Sequence, residues 1–200
     1  MIEKGSIGSP AFIMKDCMSI HYFKEVSCFD SQYAKNILGV IYKTGTGVVA
    51  NPSGSIVYFE EAIRQKEDPV AMFNLAHIYF FEEAGFFKLS EAIKLLIKSA
   101  IHDVPESTDL LCLAVVKKFK PLNTKEVIKE FESVDKQSGS SLALIVIEKI
   151  EKHQLTEGLC YEQLYFHLKE INLVYYGCNI ENQTLKIIQL FMKGSVIFKS

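Results

Sequence analysis

The chain has 200 residues, is 48 % hydrophobic and carries a formal net charge of −2 at neutral pH. Because charges of the two signs are interspersed, the composition excludes the basic surface by which proteins bind nucleic acid or an anionic membrane. No apolar run approaches the ~20 residues that a membrane-spanning helix requires, so we expect no membrane insertion.

Helical periodicity runs through most of the chain and predicts an all-α fold. Residues 1–10 are predicted to be loose, because they include two glycines, two serines and one proline. The predicted helices span residues 11–29, 31–44, 51–65, 68–81, 89–101, 107–119, 123–136, 142–152, 161–176 and 182–193. A strand is the alternative for the apolar run 142–147. The tail 195–200 is expected to dock on the last helix or to mark a cut.

The most informative stretch is residues 34–64, which predicts two helices joined by a turn. Ala34, Leu38 and Tyr42 recur at helical spacing and form one apolar face. Gly39 lies on the same stripe. Because glycine has no side chain, a second helix is expected to come close to the first at this position.

A glycine-rich turn separates these two helices. Gly45 and Gly47 are predicted to adopt positive φ and to end the first helix, while Asn51 and Pro52 supply a cap and a first-turn proline for the second. The sequence Gly45-Thr46-Gly47 also invites comparison with phosphate-binding loops. Such loops require a preceding strand and a following Gly-Lys-Ser/Thr, so a structural turn is favoured here.

The same pattern of residue types returns after 37 positions. The matched pairs are Ala34–Ala71, Leu38–Leu75, Gly39–Ala76, Tyr42–Tyr79, Phe59–Leu96 and Ala62–Ser99. A fixed period between about 20 and 50 residues indicates a solenoid, because each unit buries its apolar face against the next. We therefore predict consecutive antiparallel helical hairpins over residues 31–136, stacked in one direction.

These residues carry a family resemblance. The motif Ala34-x3-Leu38-Gly39-x2-Tyr42-x2-Gly45-x-Gly47, followed by Tyr58-Phe59-x2-Ala62, resembles the Sel-one-like repeat (SLR), a relative of the tetratricopeptide (TPR) repeat. The resemblance assigns residues 11–200 to one repeat domain, with the best repeats at 31–67 and 68–103 and degenerate repeats at 105–139 and 140–200. It implies a right-handed α/α superhelix that binds other proteins and catalyses no reaction itself.

Residues with catalytic or metal-binding potential form no recognised constellation. The five histidines include no HxxxH pair, and no Cys/His cluster has zinc spacing. Cys160 and His167 share one face of a predicted helix, but a nucleophile–base pair normally uses different elements and a third orienting group. We therefore expect no catalytic residue, no cofactor and no metal, and favour structural roles for both side chains.

Cysteine usage indicates the redox compartment. The chain has five cysteines, an odd number, with irregular spacing and no CxxC pair. This pattern predicts reduced thiols rather than a disulfide framework. The first residues also lack the apolar core of a signal peptide, so we expect a cytoplasmic location.

In helical-hairpin repeats the first helix of each unit lines the concave surface. The positions of these helices that do not face the second helix are expected to bind a partner. They are Tyr33, Asn36, Lys43, Phe73, His77 and Phe80. Aromatic rings combined with an amide and a charge suit a protein or peptide ligand better than an anion. The alternative is that these residues only pack between repeats.

The sequence thus favours a non-enzymatic interaction scaffold or adaptor that binds a partner polypeptide on its concave face. A regulatory or targeting domain of a larger protein, an enzyme included, is the alternative, and a hydrolase with a hidden site ranks last. The sequence leaves open the identity of the partner, the oligomeric state and the presence of further repeats.

Overall fold

The computed structural model describes residues 21, 24, 32–81, 85, 87–153, 155, 159–169, 171–175 and 196–199. From residue 32 onward its helices are α1 (Gln32–Thr44), α2 (Pro52–Lys66), α3 (Pro69–Phe80), α4 (Leu89–Ile101), α5 (Pro105–Lys118), α6 (Thr124–Val134), α7 (Gly139–Lys152) and α8 (Leu159–Lys169). Two strands, β1 (Asn172–Tyr175) and β2 (Val196–Lys199), pair in parallel. The predicted all-α class is confirmed for the described residues, apart from this short strand pair.

The turn between α1 and α2 follows the predicted local rules. Gly45 and Gly47 have φ angles of 72° and 70°, which residues with a Cβ rarely adopt. The side-chain oxygen of Asn51 accepts a hydrogen bond from the Gly54 N–H at 2.9 Å, and Pro52 begins the helix. The cap therefore satisfies one of the N–H groups that a helix start leaves without an intrahelical partner.

Helices α1 and α2 form the first hairpin and pack closely. A Cβ added to Gly39 would lie only 2.4 Å from Cε1 of Phe59, so the ring occupies the space that glycine leaves. Tyr42 stacks on Tyr58, with ring centroids 5.4 Å apart. The predicted helix-crossing role of Gly39 is thus confirmed.

Helices α3 and α4 form the second hairpin, which packs on α2 on one side and on α5 on the other. Asp68 caps α3, because its Oδ1 accepts hydrogen bonds from the N–H groups of Val70 at 2.9 Å and Ala71 at 3.0 Å. The Ser99 hydroxyl of α4 donates to the Pro69 carbonyl at 2.6 Å. This hydrogen bond joins the two helices of the hairpin at their adjacent ends.

The pairing beyond α5 differs from the prediction. We expected residues 107–119 and 123–136 to form a third hairpin, but α6 packs chiefly against α7, and α7 packs in turn against α5. Helix α6 buries only Val127 and Phe131. One neighbouring helix is enough to cover such a narrow apolar stripe. The packing pattern that repeats every 37 residues therefore ends at α5.

Residues 142–147 belong to helix α7, so the predicted helix is confirmed and the alternative strand is not formed. The start of α7 is apolar nearly all round, but it is only partly buried, because Leu144 and Ile145 are 55 % and 54 % exposed. One face of α7 is therefore packed, and the opposite face meets solvent.

The helix predicted over 161–176 is corrected by the structure. It ends at Lys169, and an extended strand begins at Asn172. Residues 196–199 pair with this strand, whereas the last predicted helix, on which the tail was expected to dock, lies outside the described residues. The predicted loose segment 1–10, the predicted helix 182–193 and most of 11–29 lie outside the described residues; His21 and Lys24 within 11–29 are helical.

Candidate partner-binding groove

Helices α1, α3 and α5 contribute to one surface, here called the inner face. Four of the six predicted partner-binding residues, Asn36, Phe73, His77 and Phe80, are at most 1 % exposed on this side, whereas Tyr33 and Lys43 are half-buried. The structure therefore brings the predicted residues of α1 and α3 together, but it places Asn36, His77 and Phe80 against another part of the same chain.

The cover consists of α8 and β1, here called the covering segment. Within the described residues its principal contacts outside β2 are with α1, α3 and α5. Tyr165 of α8 lies against Phe80 and Phe81, with ring centroids 6.3 Å and 5.0 Å apart. The chain itself thus occupies the inner face. This explains why aromatic residues that were predicted to bind a partner are buried.

Two buried asparagines hold the main chain of the covering segment. Asn74 Nδ2 donates to the Leu173 carbonyl at 2.8 Å, and the Leu173 N–H donates to Asn74 Oδ1 at 3.1 Å. Asn36 Nδ2 donates to the same carbonyl at 3.3 Å, while its Oδ1 accepts from Asn74 Nδ2 at 3.0 Å. The pair of side-chain amides therefore forms hydrogen bonds with the peptide unit on each side of Leu173.

Asn74 is the principal residue that the sequence prediction missed. It lies 38 positions after Asn36, whereas the 37-residue step pointed to Phe73. A signal was nevertheless present in the sequence, because Asn74 interrupts the apolar run 70–76 of α3; the structure buries it fully. Since a buried amide requires hydrogen-bond partners, an amide in such a run indicates a polar contact with another segment.

His77 holds a second main-chain group of the covering segment. Its Nδ1 lies 2.8 Å from Nζ of Lys43, and its Nε2 lies 2.9 Å from the Leu168 carbonyl oxygen. A lysine ammonium only donates, so Nδ1 accepts and the ring proton resides on Nε2. His77 therefore donates to the Leu168 carbonyl, and Lys43 fixes the tautomer that makes this possible.

Apolar side chains complete the contact. Leu168, Ile171 and Leu173 are at most 5 % exposed. Lys169, in the same segment, is exposed. The covering segment thus combines main-chain hydrogen bonds with buried apolar side chains, the combination by which extended peptides are bound along strand edges.

A separate cavity of about 440 Å³ lies between α5, α7 and α8. Cys160 and His167 both line it, as their shared helix face predicts, together with His153 and the ion pair of Asp109 with Lys149. In the part of the chain that the structure describes, no three His, Cys, Asp or Glu side chains converge to hold a metal ion. The walls of the cavity thus combine a thiol, two imidazoles and an ion pair with the apolar side chains of Leu155 and Leu164.

Comparison with known proteins assigns no family. No family model, curated protein or solved structure matches the chain. The resemblance to the Sel-one-like repeat therefore rests on the residue pattern alone. Among the described helices, none combines the length and apolar character needed to cross a bilayer.

Proposed function

We propose that this protein is a non-enzymatic interaction scaffold of the Sel-one-like type, whose hairpins stack as a right-handed α/α superhelix. It binds an extended polypeptide on the concave side, which corresponds to the inner face. The repeated motif over residues 31–103 supports the family assignment. The chemistry of the inner face supports the binding role.

One observation supports this role above the others, which is the pair formed by Asn36 and Asn74. Both amides are buried, and each bonds the main chain of Leu173 as well as the other amide. Burying unpaired amides is unfavourable, so a purely structural interior would be expected to carry apolar residues at these positions. The amide pair suits a surface that accepts the backbone of an extended segment.

The test is a selection of random peptides displayed on phage against the full-length chain. Selected peptides are then measured by fluorescence anisotropy against a chain carrying Leu173→Asp, which weakens the covering segment, and against this chain with Asn74→Leu or Lys94→Glu added. Leucine has the branch at Cγ and the number of side-chain heavy atoms of asparagine but forms no hydrogen bond, so we expect Asn74→Leu to weaken peptide binding at least tenfold. Lys94 is exposed on α4, and its replacement should leave binding unchanged.

Thermal melts followed by circular dichroism establish that both variants remain folded. Loss of binding in Lys94→Glu with full retention in Asn74→Leu would show that the partner occupies the opposite surface. A selection that yields no specific peptide from the full-length chain or from a chain with a weakened covering segment would count against a peptide-binding scaffold altogether.

A further inference from the structure

The covering segment is held in the manner of a bound peptide. The groove fixes it through three hydrogen bonds to the main chain of Leu173 and one to the carbonyl of Leu168. The protein partners in these bonds are side chains of α1 and α3. Recognition of the main chain is sequence-tolerant, because peptide groups are present in every polypeptide.

Strand geometry explains how one residue can supply both groups. Within a strand the N–H and C=O of a residue point to the same side, and those of its neighbours point to the opposite side. Leu173 directs both groups toward Asn36 and Asn74, so its neighbours along β1 direct theirs toward β2, with which β1 pairs. The two asparagine amides therefore take the place of a neighbouring strand on one edge of β1.

The groove does not depend on its cover for its own construction. Its polar residues belong to α1 and α3, and each of these helices packs against its own hairpin partner, α2 or α4. The cover, by contrast, exposes one side to solvent, since Phe166 is 65 % exposed. Release of the covering segment would leave the hairpins paired while removing the contacts that Asn74, His77 and Phe80 make with it, so these residues then require another occupant.

We propose that the covering segment is an intramolecular occupant of the partner site, and that a partner displaces it with an extended segment of the same chemistry. That chemistry is a pair of apolar side chains two positions apart, like Ile171 and Leu173, with a free N–H at the second. The inference rests on the proposed scaffold function and adds the ligand class and its regulation. Binding of a partner is therefore coupled to release of α8 and β1.

The first experiment uses a fluorescent peptide with the sequence of residues 166–175 and the full-length chain. Leu173→Asp places a charge at a fully buried position and weakens the internal occupant, so this variant should bind the added peptide at least tenfold more tightly than the wild type. The matched control is Lys169→Ala, which changes an exposed residue of the same segment and should bind like the wild type. A peptide with an N-methyl group on its Leu173 nitrogen lacks the N–H that Asn74 accepts and should bind at least tenfold more weakly.

The second experiment requires no variant. Hydrogen exchange of the wild-type chain is followed with and without an excess of the unmodified peptide, and the amides of residues 168–173 should exchange faster when the peptide is present. Equal affinity of Leu173→Asp and wild type, equal affinity of methylated and unmodified peptide, or unchanged exchange of these amides would each overturn the inference. If display-selected peptides depend on Asn74 while these amides stay protected, the scaffold function stands and self-occupancy fails.

Discussion

Replacing Gly39 with alanine tests how tightly α1 and α2 are packed. The added Cβ would lie 2.4, 2.7 and 2.8 Å from three carbons of the Phe59 ring, whereas ordinary contacts begin near 3.4 Å. The ring would have to retreat by about 1 Å, and it is fully buried, so its movement displaces other core side chains. Overpacking of this kind costs ~1–3 kcal/mol, against a gain of ~1 kcal/mol from replacing a helical glycine with alanine. Because three ring carbons are involved, we expect a net loss of ~1–2 kcal/mol in the free energy of unfolding.

The second hairpin supplies the matched control for this prediction. The positions equivalent to Gly39 and Phe59 hold Ala76 and Leu96, both fully buried. Adding Gly39→Ala to a Phe59→Leu chain reproduces that pair, and the clash with the outer ring carbons is removed. In this background Gly39→Ala should stabilise the fold by up to ~1 kcal/mol, so the sign of its effect reverses.

Urea unfolding of the four chains of this double-mutant cycle, followed by circular dichroism, measures both effects. A loss of equal size in the two backgrounds would refute the reasoning, because Phe59 would then not be the obstacle.

Two further predictions concern buried titratable groups. Burial raises the pKa of Asp68 above its ordinary value of 3.8, although hydrogen bonds from the N–H groups of Ala71 and Val70 oppose the shift. As the pH falls from about 7 to about 4, the Asp68 carboxylate is therefore protonated in the folded state before it is protonated in the unfolded state. The unfolding free energy of the wild type should then rise relative to that of Asp68→Asn. Urea titrations of both chains across this pH range measure this difference, and a difference that does not change with pH would contradict the prediction. Burial also raises the pKa of Cys112 to about 12, whereas Cys160 is exposed. Since the thiolate is the reactive form, iodoacetamide should modify Cys160 at least tenfold faster than Cys112 in the native protein, as measured by peptide mass spectrometry, and equal native rates would argue against the packing around α5.

Local rules predicted the two complete hairpins well. Helix α4 begins and ends at the predicted residues, and the positive φ angles of Gly45 and Gly47 follow from the absence of a Cβ. The contact of Gly39 with Phe59 follows from helical spacing and from the size of the side chains. These features depend on residues close together in the sequence, so a single sequence contains the information that determines them.

The C-terminal part was predicted less well because distant contacts determine it. Residues 161–176 have apolar residues at helical spacing, yet the chain becomes extended at Asn172. Leu173 bonds to Asn74 and Asn36, which precede it by 99 and 137 residues. Such long-range hydrogen bonds override the local preference of a short segment. The repeat period likewise could not show that α6 packs on α7 instead of α5, since that choice depends on which neighbour covers Val127 and Phe131.

The way in which Asn36 and Asn74 hold Leu173 has an evolutionary consequence. Their hydrogen bonds involve only the backbone of that residue, so the bonds themselves exclude only proline, and it is the burial of the Leu173 side chain that requires an apolar residue there. Mutation is then free to change the exposed positions of the covering segment, such as Lys169, without shifting its register. Selection would instead act on the two asparagines, because glutamine is one methylene longer and aspartate has no N–H donor. Descendants of this chain should keep the two buried amides, opposite a segment in which only the exposed positions change.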